Sequence, residues 1–212
     1  WSYSECEQGL SWRKVQDRRN TINIKKIESY FSDFNVKEVI IENEEDLKFD
    51  GRIDGQVSKF KIPILGWKRM WHGIKKASEM VYHSEEKYDA VLNMRQDNFS
   101  CKGSINFRKN ENDLIEAIHE FISNKKLFYI SKIAIGVDNF FISDSKTGFN
   151  ISTQFLSNMD RIIDEYKTTY LRSQEHIFLK YCNKYFESHN YYKHTYDYLI
   201  VGAGLFGSIF AR

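Results

Sequence analysis

The stretch Tyr88-Asp-Ala-Val-Leu-Asn-Met-Arg-Gln-Asp97 is a short apolar run that ends in charged residues. Its apolar part predicts a buried β-strand, because a run of four to eight such residues suits a sheet interior. The strand follows the clearest helix of the chain, 66–84, in which apolar residues recur every three or four positions. A helix that leads directly into a buried strand is typical of an α/β fold.

The same alternation continues on both sides of this stretch. Apolar periodicity predicts helices over 21–34, 113–123, 149–170 and 173–186, and strands over 36–42, 127–130, 133–137 and 196–201. The polar segment 43–61 contains Gly51 and Gly55 and is predicted to be a long loop. Helices that alternate with short strands predict an α/β sandwich with a mixed or mostly parallel sheet flanked by helices.

Composition narrows the class of protein further. The chain has 212 residues, of which 42% are hydrophobic, and a net charge of +2, so it is predicted to be globular without the basic surface that binds nucleic acid. Cys6, Cys101 and Cys182 are far apart and form no Cys-x-x-Cys pair, which argues against zinc and thioredoxin-like sites. Free thiols are typical of the cytoplasm, and no apolar run reaches the length of a transmembrane segment.

Arg95 and Asp97 are the first candidate site residues, because they follow the strand directly. In open α/β sheets, ligands bind outside the carboxyl ends of the strands. A carboxylate such as Asp97 suits a divalent metal, and an arginine such as Arg95 suits phosphate oxygens. The alternative is an ordinary ion pair at the end of a strand.

Two further carboxylates are candidates for catalysis. Asp138, next to Asn139, lies between two apolar runs, where a buried charge needs a partner. An Asx turn or a helix cap is an equally good interpretation of that pair. Glu175 falls in the first turn of the predicted helix 173–186, where stabilisation of the helix dipole is the alternative to a catalytic role.

A glycine motif closes the chain. Gly202, Gly204 and Gly207 have the G-x-G-x-x-G spacing that follows the strand 196–201 and precedes the start of a helix. This arrangement binds the pyrophosphate of a dinucleotide against a helix N-terminus. A complete unit needs about 30 residues. We therefore expect 191–212 to be the truncated start of a Rossmann-type domain.

The run YDYLIVGAGLFGSIFAR, 196–212, resembles the N-terminus of bacterial UDP-galactopyranose mutase. This resemblance implies that Gly202, Gly204 and Gly207 contact FAD in a complete mutase domain, and that FAD does not bind to the fragment alone.

Three segments, 88–97, 137–140 and 173–181, are similar to motifs of bacterial glycosyltransferase-like proteins of lipopolysaccharide and capsule synthesis, the WavE-like group. The resemblance covers about 67–182 and implies a GT-A-like mixed sheet, with its usual first strand expected before Trp1. It also implies that Asp97 faces a metal (Mn²⁺ or Mg²⁺) or the diphosphate, and that Asp138 lies near the donor or acceptor sugar.

Together these observations predict a glycosyltransferase-like domain over 1–190, joined to the start of a mutase domain over 191–212. The predicted partners are a nucleotide sugar, with UDP-galactofuranose suggested by the mutase, and a glycan acceptor. A lipid-linked acceptor would bring the cytoplasmic protein to the inner face of the membrane.

Asp138 and Glu175 are the catalytic candidates, and Arg95, Asp97 and Asn139 are the substrate-binding candidates. A non-catalytic docking module for the mutase is the main alternative, and a flavoprotein oxidoreductase is a third.

Overall fold

A computed structural model describes residues 25, 29, 37, 39–40, 42, 46–57, 62–94, 118–123, 140–167, 174–188 and 198–201. In chain order the named elements are α1 (Ile64–His83), β1 (Ala90–Met94), β2 (Phe140–Ser143), α2 (Ser145–Ser157), α3 (Met159–Lys167), α4 (Gln174–Ser188) and β3 (Tyr198–Val201). Residues 118–123 are also helical, as predicted for that part of 113–123. The described elements therefore confirm the α/β class.

The three strands form one mixed sheet in the order β2-β1-β3. β2 runs antiparallel to β1, with Phe140 opposite Met94, and β3 runs parallel to β1, with Val201 beside Asn93. β3 belongs to the segment 191–212, which the sequence predicts to be the start of a second domain. The domain boundary between residues 190 and 191 stays a prediction.

Both faces of β1 and β2 are buried at the strand positions whose side chains the structure describes, 90–93 and 141–143. Val91 and Phe141 lie on one face and pack into a core formed with the helices. Leu92 and Ile142 point to the opposite face, because successive strand residues alternate, and they are only 1% and 0% exposed. Burial on both sides explains why β1 and β2 are mostly apolar, with Asn93 and Ser143 as the polar exceptions.

The helical side of the core is built from aromatic rings. Phe155 of α2 packs against Trp71 of α1 with ring centroids 4.3 Å apart, and Phe178 of α4 contacts Trp71 at 4.6 Å. Phe178 also reaches Phe141 of β2 at 5.5 Å. Spacings in this range are attractive for aromatic pairs, so these rings join three helices to the sheet.

The helix predicted over 149–170 is divided into α2 and α3. Asp144 caps the start of α2, since its carboxylate accepts hydrogen bonds from the Thr147 N–H at 2.8 Å and the Thr147 hydroxyl at 2.6 Å. Asn158 ends α2 by donating its backbone N–H and its side-chain amide to the Gln154 carbonyl. The Asn158 carbonyl then accepts from the Ile162 N–H, which begins α3.

The strand predicted over 36–42 is wrong at the four described positions, 37, 39, 40 and 42, which belong to no strand. Side-chain contacts hold this segment instead. Lys37 forms an ion pair with Glu86 at 2.8 Å, and Glu42 lies 2.7 Å from Nε2 of His72 on α1. The apolar run 39–41 predicts burial, but a strand also needs a neighbour with free backbone groups.

Candidate site at the carboxyl edge of the sheet

Three chain segments meet at one edge of the sheet. β1 ends at Met94 beside Phe140, the first residue of β2, and β3 ends at Val201 beside Asn93. Because β1 and β3 are parallel, their carboxyl ends lie at this same edge, which we call the carboxyl edge. This is the side of an α/β sheet at which ligands usually bind.

Most of the site residues predicted from the sequence lie outside the described residues. These are Arg95, Asp97, Asp138, Asn139, Gly202, Gly204 and Gly207. The assignment of a metal to Asp97 therefore stays a prediction. Within the described ranges, no three His, Cys, Asp or Glu side chains are grouped so that they could hold a metal ion.

Glu175 is the predicted catalytic residue that the structure does describe. It lies in the first turn of α4, as predicted, and is half-buried. Its Oε2 and the Oε1 of Gln174 are buried, and neither accepts a hydrogen bond from any described residue. Phe178, one turn further along α4, anchors this end of the helix to Phe141 at 5.5 Å. The first turn of α4 therefore contains two buried acceptor oxygens that no described residue pairs.

Asn93 is a polar residue at this edge that the sequence analysis did not select. It is 5% exposed and stands between Leu92 and Met94 in β1. Its register partners are Phe141 of β2 and Val201 of β3. Asn93 could have been selected from the sequence, because an amide that is buried inside an apolar strand usually needs a hydrogen-bonding partner. We refer to Gln174 and Glu175, with their unpaired buried oxygens, as the α4 pair.

A second polar cluster holds the loop 46–57 against α1 and α3. Lys68 of α1 has a side chain that is only 4% exposed, and its ammonium lies 2.9 Å from Oδ1 of Asp160 on α3. The same ammonium donates to the Asp50 carbonyl at 2.6 Å. The Arg52 backbone N–H donates to Asp160 Oδ2 at 2.8 Å, and the Arg52 guanidinium lies 3.1 Å from Asp164. We call Arg52, Lys68, Asp160 and Asp164 the strap cluster.

The strap cluster favours the ionised form of Asp160. Burial alone would raise the pKa of this carboxyl. The hydrogen bond from the Arg52 backbone and the charge of Lys68 outweigh burial and hold the pKa of Asp160 below its ordinary value of 3.8. Gly51 lets the loop come this close, since it has a φ of +74° and a Cβ there would clash with the Asp160 carboxylate. The arrangement is that of a structural contact.

No family model, no curated protein and no solved structure matches this chain. Among the helices of the described residues, none has both the length and the apolar composition needed to cross a bilayer. The helices and strands of the described residues define the class as α/β.

Proposed function

We propose that the chain contains a glycosyltransferase-like domain of bacterial surface-polysaccharide synthesis, with a GT-A-like sheet that binds a nucleotide sugar at its carboxyl edge. Residues 191–212 would then be the start of a UDP-galactopyranose mutase-like, Rossmann-type FAD-binding domain. The observation that carries the proposal is the register of the sheet. It brings the carboxyl ends of β1 and β3 and the start of β2 to one edge.

Each of these strand ends is continuous with a segment that the sequence predicts to be functional. Met94 is followed by Arg95 to Asp97, and Phe140 is preceded by Asp138 and Asn139. Val201 is followed by the glycine motif, Gly202 to Gly207. A site built from distant parts of the chain at one edge of a parallel pair of strands is typical of nucleotide binding in α/β folds.

The proposed chemistry follows from the residue types. Departure of a nucleoside diphosphate needs its developing negative charge to be neutralised, by Arg95 or by a divalent cation at Asp97. Attack by an acceptor hydroxyl with inversion needs a carboxylate base, for which Asp138 is our first choice. Glu175, in the first turn of α4, is the second catalytic candidate among the carboxylates. If the mutase provides the donor, UDP-galactofuranose is the nucleotide sugar to test first.

The test is release of UDP from UDP-galactose and UDP-galactofuranose, with Mn²⁺ or Mg²⁺ present, for the wild type and for Asp97→Ala and Asp138→Ala. Loss of a general base typically costs 10²- to 10⁴-fold in rate, and we expect a decrease of that order in Asp138→Ala. Asp54→Ala is the matched control, since Asp54 is an exposed carboxylate of the loop 46–57. Full activity in both site variants would remove these assignments.

Calorimetry with UDP and UDP-galactose separates this proposal from the alternative of a docking module. A nucleotide-sugar domain binds at least one of the two ligands. A module that only tethers the mutase releases no heat with either, and that result would overturn the proposal.

A further inference from the structure

Three aromatic side chains meet where α1 ends and α2 begins. Tyr82 and His83 are the last two residues of α1, and Phe149 is the fifth residue of α2. The Tyr82 and Phe149 rings are stacked, with their centroids 4.7 Å apart and an angle of 6° between their planes. The His83 ring is T-shaped to both, at 5.1 Å from Tyr82 and 5.9 Å from Phe149. We call these three residues the aromatic platform.

The packing on either side of the platform holds its rings in place. Val81, directly before Tyr82, and Ile151, two positions after Phe149, are both buried in the core. The start of α2 also lies close against the end of β2, because a Cβ at Gly148 would be only 2.7 Å from the Ser143 hydroxyl oxygen. The platform is therefore formed before any ligand binds, which lowers the entropic cost of binding.

The platform and the proposed nucleotide-sugar site lie at opposite ends of the sheet. Ser143, against which Gly148 packs, pairs with Val91 near the amino end of β1. The carboxyl edge is at the other end of this strand, where Met94 pairs with Phe140. A molecule on the platform would therefore occupy a second surface, separate from the strand ends that bind the nucleotide sugar in the proposed function.

The exposed apolar area at the platform is small. Tyr82 is 41% exposed, and the only other large hydrophobic residue exposed to this degree in the described ranges is Ile53, at 46%. Ile53 belongs to the loop 46–57, which contacts α1 through Asp50 and Lys68. Lys68 is roughly 20 Å from Tyr82 along the helix axis. A stable protein complex buries about 800 Å² on each partner, so one isolated ring favours a ligand of similar size to the ring.

The polar groups around the platform favour a neutral ligand that forms hydrogen bonds. Lys146 lies three positions before Phe149, and Glu79 lies three positions before Tyr82, so the neighbouring charges have opposite signs. A strand of nucleic acid needs a basic groove beside the aromatic rings, which this pair does not provide. The Tyr82 hydroxyl and the exposed His83 imidazole can both donate and accept hydrogen bonds.

We propose that the aromatic platform binds a hexose ring of a glycan, with Tyr82 as the stacking residue. A pyranose has a flat face of C–H bonds that packs on an aromatic ring, and hydroxyls at its rim that pair with groups such as those of Tyr82 and His83. The choice of a glycan rests on the proposed function, in which it would be the acceptor. The platform would then hold a part of the acceptor chain away from its reacting end.

The experiment is saturation-transfer NMR of the full chain with methyl β-galactopyranoside, titrated to obtain a Kd. We expect Tyr82→Leu to weaken binding at least about fivefold, which is the order of a single aromatic contact, and Tyr82→Phe to retain it within about twofold because the ring remains. Ile53→Ala is the matched control, since Ile53 is equally exposed and lies outside the platform. Tyr82→Leu should unfold at the wild-type temperature, as is usual for an exposed position.

Three results would overturn the inference. The first is a wild type that shows no saturation transfer, or that binds no better than Tyr82→Leu. The second is binding of uridine that depends on Tyr82 while the galactoside does not bind, which would assign the platform to a nucleobase. The third is self-association in light scattering that Tyr82→Leu abolishes, again without galactoside binding, which would assign it to a protein interface.

Calorimetry of the wild type with UDP separates the failure of this inference from the failure of the proposed function. UDP binding without galactoside binding would remove the glycan surface and leave the nucleotide-sugar site. Galactoside binding that depends on Tyr82, without UDP binding, would leave a glycan-binding surface and remove the proposed transferase.

Discussion

The strap cluster and the α4 pair are both partly buried and polar, but they differ in the charges that face their oxygens. In the strap cluster, Asp160 Oδ2 accepts the Arg52 N–H and Asp160 Oδ1 lies 2.9 Å from the Lys68 ammonium, which also donates to the Asp50 carbonyl. In the α4 pair, Gln174 and Glu175 each have a buried oxygen that no described residue pairs. An ion pair supported by a backbone hydrogen bond is a contact that holds the fold, whereas a buried acceptor without a donor contributes nothing of that kind.

The largest effect that tests this comparison is expected from Asp160→Asn. The substitution leaves the Lys68 ammonium, whose side chain is 4% exposed, without its counter-charge. Breaking such a buried pair typically costs about 3 kcal/mol of the free energy of unfolding, which denaturant titration measures. Asp164→Asn is the control, because Asp164 is 60% exposed and its pair with Arg52 should contribute less than about 1 kcal/mol. Equal losses in the two variants would contradict the structural role of the strap cluster.

A smaller effect is expected from pH, again through Asp160. Its pKa lies below the ordinary value of 3.8, so the folded state binds this proton more weakly than the unfolded state does. The stabilisation is therefore complete at neutral pH and is lost as the pH falls through the folded pKa, below 3.8. The free energy of unfolding of the wild type should fall more steeply than that of Asp160→Asn in this range. Parallel pH curves for the two proteins would show that Asp160 does not contribute.

The smallest effect is expected in the α4 pair, from Glu175→Gln without ligand. The carboxylate gains at most a modest stabilisation from the helix dipole, and none of the described residues donates to its buried oxygen. We expect the free energy of unfolding to change by no more than about 0.5 kcal/mol in denaturant titration. A loss as large as that of Asp160→Asn would place Glu175 among the structural residues and remove the contrast between the strap cluster and the α4 pair.

The sequence predicted those elements whose periodicity is strong and local. The apolar stripe of 66–84 became α1, the run before Arg95 became β1, and the segment 173–186 became α4, each within a few residues. The division of 149–170 at Asn158 was not predicted, because it depends on hydrogen bonds back to Gln154 and not on apolar spacing. The prediction of a strand over 36–42 was wrong at its described positions, because strand pairing depends on a second segment that the apolar pattern of the first does not reveal.

The candidate site was predictable only in part. The position of Glu175 in the first turn of a helix followed from its place at the start of 173–186, and the structure confirms it. The strap cluster could not be predicted, because Arg52 and Asp160 are 108 positions apart and no local pattern joins them. Asn93 lay within the quoted strand, but only the register shows that it adjoins both neighbouring strands near the carboxyl edge.

The strand order β2-β1-β3 has a consequence for the newly made chain. β1 is synthesised first, yet both of its hydrogen-bonding edges are filled by strands that follow much later in the sequence. Pairings between distant segments form slowly, because a long loop must close before they gain any energy. Until the ribosome has released Tyr198 to Val201, β1 presents at least one unpaired apolar edge of the kind that aggregates. Expression at low temperature or with chaperones should therefore improve the yield of folded protein.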